Sequence, residues 1–156
     1  MKNNNIRTIL TAGIIAAILD ITGAIIVYAV ILNVTTAQKL LQSVAAGALG
    51  KSAREGGWST ALIGLALHTF IAVCFAAFYF LIRPYWKKIF ANKWISGIVY
   101  GCLVWCIMNI IVLPMATGNP FQFKLNQFFF YGIGLIIFMV GIPISLITEK
   151  YKRAYI

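Results

Sequence analysis

Residues 8–32 read TILTAGIIAAILDITGAIIVYAVIL, an apolar stretch with one charge, Asp20, near its middle. As a helix this stretch rises about 37 Å at 1.5 Å per residue, enough to cross a hydrocarbon core of about 30 Å. It follows Lys2 and Arg7, as a secretory signal would, but the apolar core of such a signal runs only about 7–15 residues. The stretch therefore reads as an uncleaved membrane span.

Three more runs of the same kind follow, giving expected spans at about 6–32, 58–82, 94–115 and 127–147. The second ends at Arg83-Pro84, read as a sharp stop, and the third closes around Pro114. Pro143 lies near the end of the fourth. Trp58, Tyr85, Trp86, Trp94 and Tyr151 fall at the expected boundaries, where aromatic rings sit among lipid headgroups. The fold class this implies is all-α: a single four-helix transmembrane bundle.

Composition agrees. Of 156 residues 62% are hydrophobic and 10% charged, too little polar surface for a soluble domain. The net charge of +10 does not point to nucleic acid, because the basic residues gather at the ends of apolar runs rather than along a recognition helix. Nine Lys and Arg lie on the side holding both termini and the 83–93 connection, and four on the other, counting Lys39, Lys51, Arg54 and Lys124. That bias places both termini in the cytoplasm.

The connection at 33–57 is more than a loop. Thr35 and Gln38 have capping-box spacing. Leu41, Val44, Ala45, Ala48 and Leu49 then recur at a helical period before Gly50, so an amphipathic helix is expected over about 35–50, on the outer surface or tucked over the bundle.

Asp20 is the most informative residue. A carboxylate at mid-span costs about 2.5–3.5 kcal/mol, and Ile, Leu and Val at about −0.3 to −0.6 each offset it, so the helix inserts with Asp20 facing protein or water. Gly13, Ala16, Ala17, Gly23 and Ala24 lie near its face and suit close packing. His68, the one histidine, is flanked by Gly64 and Ala72 and lies at a similar depth, so an Asp20–His68 contact is expected. The third span contributes Trp105, Cys106 and Asn109 on the face that begins with Gly97 and Gly101. The fourth offers a stripe of Tyr131, Gly134, Phe138, Gly141 and Ser145. Asp20, His68, Asn109, Trp105 and Tyr131 are thus the candidate ligand- or proton-binding residues, expected to point into one interior.

Other chemistry is poorly represented. Cys74, Cys102 and Cys106 all fall inside apolar runs, which argues against a disulfide framework. Cys102, Cys106 and His68 fall short of the four ligands that a closed zinc site wants, and one histidine cannot supply both axial ligands of a haem within a monomer, so no cofactor or metal is expected. No Walker loop, G-x-S-x-G elbow or H-E-x-x-H motif is present. A Cys106–His68 nucleophile oriented by Asp20 would need an activating environment that a buried thiol lacks.

The run 41–50, LQSVAAGALG, then Gly64 and His68, then Tyr100-Gly101, Met108-Asn109 and Pro114, resembles a group of short four-span bacterial inner-membrane proteins of unassigned function. The resemblance implies a bacterial inner-membrane location and carries no site with it. Two functional readings follow from the residues. In one, the polar interior binds or transports a small solute, lipid headgroup or proton, with the bilayer as the surrounding partner and a homo-oligomer as the transporting unit. In the other, the protein is structural or interacts with other proteins, and its intramembrane polar groups only specify helix packing.

Overall fold

A computed structural model describes residues 2–114 and 125–153. The first span is α1, Lys2–Ala24, which winds on without a break as a π-helix over Ile25–Ile31. Helix α2, Ala37–Leu49, and a 3₁₀ turn, Lys51–Arg54, fill the first connection. Helix α3, Gly57–Ile89, is the second span. Helix α4, Lys93–Cys106, continues as a π-helix over Ile107–Val112 to make the third. The fourth is α5, Gln127–Leu135, a π-helical stretch, Ile136–Gly141, and α6, Ile142–Arg153.

Among the described residues four helices are therefore long and apolar enough to cross a membrane, and the molecule is an all-α, multi-pass membrane protein. Its surface agrees: Phe70, Leu81 and Phe138 are each at least 65% exposed, contacts that lipid tails satisfy and water would not.

Inside, small residues let the backbones close up. A Cβ on Gly13 would stand 2.6 Å from the Val73 Cα, which seats the first span on the second. Gly97 and Gly101 face the fourth span, where a Cβ would come within 2.7 Å of the Ile142 and Ile137 Cα atoms respectively, and Gly141 faces back between them. The small-residue spacing read from the sequence is thus a packing seam between the third and fourth spans. Ala12, Ala16, Ala76, Tyr79, Tyr100, Val104, Val140 and Ile144 form the core that joins all four.

Several local expectations change. The second span does not stop at Arg83-Pro84: α3 runs through Pro84 to Ile89. The extra turn is held from outside, because the Arg83 Nε and Nη2 groups donate to the two Glu149 oxygens at 2.8 Å each, and Trp86 packs on Phe90 and Tyr100. Those contacts outweigh the amide that proline removes. For the same reason Trp86 is not a member of the boundary belt, whereas Trp58, Tyr85 and Trp94 are exposed there. Tyr151 and residues 115–124, Lys124 among them, lie outside the residues whose side chains are described.

Helix α2 exists, but its cap is Thr36, whose hydroxyl accepts from the Lys39 amide at 3.2 Å, one residue later than the Thr35–Gln38 pairing. Lys39 has no acceptor to close a reciprocal box. The buried face is Leu41, Gln42, Ala45 and Ala46, not one including Ala48 and Leu49, which are exposed. The face turns because α2 lies against α3 rather than against lipid. Gly64 leaves room for the Leu41 carbonyl, and the Gln42 side chain donates to Gly57 O at 2.9 Å and approaches Thr60 Oγ1 at 3.3 Å.

Candidate functional site

The two halves of the bundle treat polar groups differently. In the half near Lys93 and Glu149, Tyr79, Ser96 and Ser145 from three spans are buried and joined. Ser145 Oγ donates to Lys93 O at 2.8 Å, so its proton is committed and it accepts from the Tyr79 hydroxyl, also at 2.8 Å. Tyr79 Oη in turn accepts from Ser96 Oγ at 2.6 Å. Tyr100 stacks edge-on against Tyr79 with ring centroids 4.7 Å apart and donates to Phe75 O at 2.6 Å. In this half the buried hydroxyls are satisfied by one another and by backbone carbonyls.

In the other half the first, third and fourth spans part around a cavity of about 480 Å³. The first span contributes Asp20, Ala24 and Tyr28, one helical turn apart on one face. The third contributes Trp105, Met108, Asn109 and Leu113, and the fourth Asn126, Phe128, Phe129, Gly132, Leu135 and Ile136. Tyr28, Leu113 and Asn126 lie near the span ends, and Asp20, two helical turns before Tyr28, lies roughly 12 Å deeper at 1.5 Å per residue. No residue of α3 lines the cavity.

All three lining spans carry a π-helical stretch in or beside the wall, whereas α3 is α-helical throughout. Local chemistry accompanies each one. The Asn109 side chain donates to Trp105 O at 2.9 Å and competes for a carbonyl that an α-helix would pair through its backbone. Pro143, just past the fourth span's π stretch, has no amide to offer the preceding turn. The first span ends with Leu32 N bonded to Val27 O, a five-residue step, and Asn33 at φ 51°, a left-handed stop that asparagine tolerates.

His68 reaches this site from behind. Its Nε2 lies 3.2 Å from Ala17 O and 3.8 Å from Asp20 Oδ2, and it does not line the cavity. A carbonyl only accepts, so Nε2 carries the proton in that bond. Asp20 and His68 thus meet as the sequence suggests, at ion-pair rather than hydrogen-bond distance.

Asp20, Asn109 and Trp105 share the cavity, while Tyr131 does not line it and is 40% exposed. The expected stripe through Tyr131, Gly134, Phe138, Gly141 and Ser145 breaks for a clear reason. Counting back from Ser145 in alternate steps of four and three residues ignores the extra residue of the π stretch. With it included, the inward line runs through Ser145, Gly141, Ile136 and Gly132, and Phe138 faces outward. Sequence reading also missed Tyr28 and Asn126, and the inner cluster of Tyr79 and Ser96. Tyr28 was open to discovery, since it stands two helical turns beyond Asp20.

Among the described residues no cluster of three His, Cys, Asp or Glu is placed to hold a metal ion. Comparison with protein-family models, with curated proteins and with solved structures returned no match.

Proposed function

We propose that this multi-pass protein binds a small solute in the cavity above Asp20. It does so in a bacterial inner membrane with both termini in the cytoplasm, as the charge bias and the family resemblance suggest. The observation that carries the reading is the coincidence of π-helical winding with the cavity in the three spans that line it and in none other of the four. Such turns are frequent at functional sites, because they re-aim side chains at the cost of regular helix bonding. The fourth span's π stretch also packs on the third through Ile137 and Gly141, so the reading rests on the coincidence in all three spans rather than on that one.

The Tyr79 cluster lies in the other half of the bundle, and none of its residues lines the cavity. Binding in the cavity leaves that cluster closed, and transport would add a step in which Ser96, Tyr79 and Ser145 part.

The competing reading is that Asp20 and His68 only fix the register of the first two spans, and the His68 bond to Ala17 O favours it. Native mass spectrometry of protein released gently from membranes separates the two. A defined adduct on the wild type that is lost in Gly132→Leu, with fold retained, supports binding. Bare protein from both, or an adduct indifferent to Gly132→Leu, supports packing.

A further inference from the structure

The chain is strongly basic, with thirteen Lys and Arg against three acids, yet its cavity has the opposite character. Glu149 is engaged by Arg83, with Lys87 3.8 Å away, and Glu55 lies in the first connection. Asp20 remains, and it is the one charged residue among the described residues that line the cavity. Tyr28, Trp105, Phe128 and Phe129 line the same cavity. Tyr28 stacks with Phe128 at 6.5 Å, and Trp105 meets Phe129 edge-on at 5.0 Å, so the rings form two braced walls.

A carboxylate set in an apolar, aromatic chamber has a defined electrostatic preference. A neutral ligand would leave the Asp20 carboxylate unmatched on its cavity side, with only His68 behind the wall at 3.8 Å, and an anion would be repelled. A cation is attracted by the carboxylate and by the ring faces together. An ordinary metal ion would need more oxygen ligands than one carboxylate and an amide supply. An organic body would fill the aromatic space instead, and about 480 Å³ is room for a small one. Asn109 adds an acceptor: its Nδ2 is committed to Trp105 O, which leaves Oδ1 to meet an N–H on the ligand.

We propose that the cavity takes an organic ammonium ion with an apolar, preferably aromatic, body, its charge held at Asp20 and its body between Tyr28 and Trp105. This names the ligand class of the binding site proposed above and rests on that reading.

The test uses the full chain in nanodiscs of zwitterionic phosphatidylcholine and three probes of similar shape: 2-phenylethylammonium, propylbenzene and 3-phenylpropionate. At pH 7.5 the first is a cation and the last an anion. Expected is saturable binding of labelled 2-phenylethylammonium, weakened at least tenfold in Asp20→Asn, lost in Gly132→Leu, and not displaced by either of the other two. Tyr28→Leu serves as a second variant should Asp20→Asn fold poorly; it weakens the cation by about 3- to 30-fold.

Cation binding equal in wild type, Asp20→Asn and Tyr28→Leu overturns the proposal. If propylbenzene or 3-phenylpropionate binds instead, sensitive to Gly132→Leu, the cation assignment falls while the cavity remains a binding site. If none of the three binds in a way that Gly132→Leu alters, the assignment falls, and the adduct experiment alone decides whether the cavity binds anything.

Discussion

Arg83 and Glu149, sixty-six residues apart, close one end of the bundle with two parallel hydrogen bonds of 2.8 Å each. Both side chains are only 12% exposed, so each depends on the other for its solvation. Arg83→Met should cost about 3 kcal/mol, because it removes two charge-assisted hydrogen bonds from a mostly buried carboxylate. The double variant Arg83→Met with Glu149→Leu should recover most of that loss. Unfolding of the purified protein by denaturing detergent measures both, and a double variant no better than the single one would contradict the pairing.

Gly64 is where α2 rests on the second span. A methyl group there would collide with the Leu41 carbonyl, a backbone atom that moves only if the helix moves. Gly64→Ala should lift α2 and cost about 1–3 kcal/mol. Amide hydrogen exchange across 37–49 should accelerate in that variant, while exchange in the four spans stays close to wild type.

His68 has a hydrogen-bonding duty that another donor can perform. Glutamine carries a side-chain N–H at a comparable reach, so His68→Gln should keep most of the bond to Ala17 O. His68→Ala should lose about 0.6 kcal/mol and no more than about 1.7 kcal/mol, the mean and the maximum found for polar contacts between membrane helices. Equal stability of the two variants would show that the bond contributes nothing.

Tyr79 both accepts from Ser96 and donates to Ser145. Tyr79→Phe removes both links at once and leaves the Ser96 hydroxyl buried without its acceptor. The expected loss is about 1–3 kcal/mol. The Ser145 bond to Lys93 O survives it, so Ser145→Ala in the Tyr79→Phe background should cost further stability rather than none.

Much of this architecture was legible from residues alone, because bilayer thickness turns apolar run length directly into span number. Asp20 and His68 could be paired by depth, since two helices in the same slab share a coordinate along the membrane normal. What periodicity could not carry was phase. A stripe counted at 3.6 residues per turn stays true only while the winding is regular, which is why Tyr131 and Phe138 were assigned to a line that Gly132 and Ile136 occupy. Pro84 misled for a related reason: a proline predicts a helix stop only when nothing downstream holds the chain, and Arg83 and Trp86 both hold it. The face of α2 escaped because its partner, the start of α3, is adjacent in space and not a lipid surface.

The three π-helical stretches also bear on how such a protein diverges. Each is, in effect, an α-helix that has absorbed one additional residue. Loss of a single residue within 25–31, 107–112 or 136–141 would let that segment relax to regular winding and turn everything beyond it by about 100°. The span would still cross the membrane, but a different set of side chains would line the chamber. One-residue gaps at those three places in the lineage of this chain would therefore record changes of ligand rather than changes of fold.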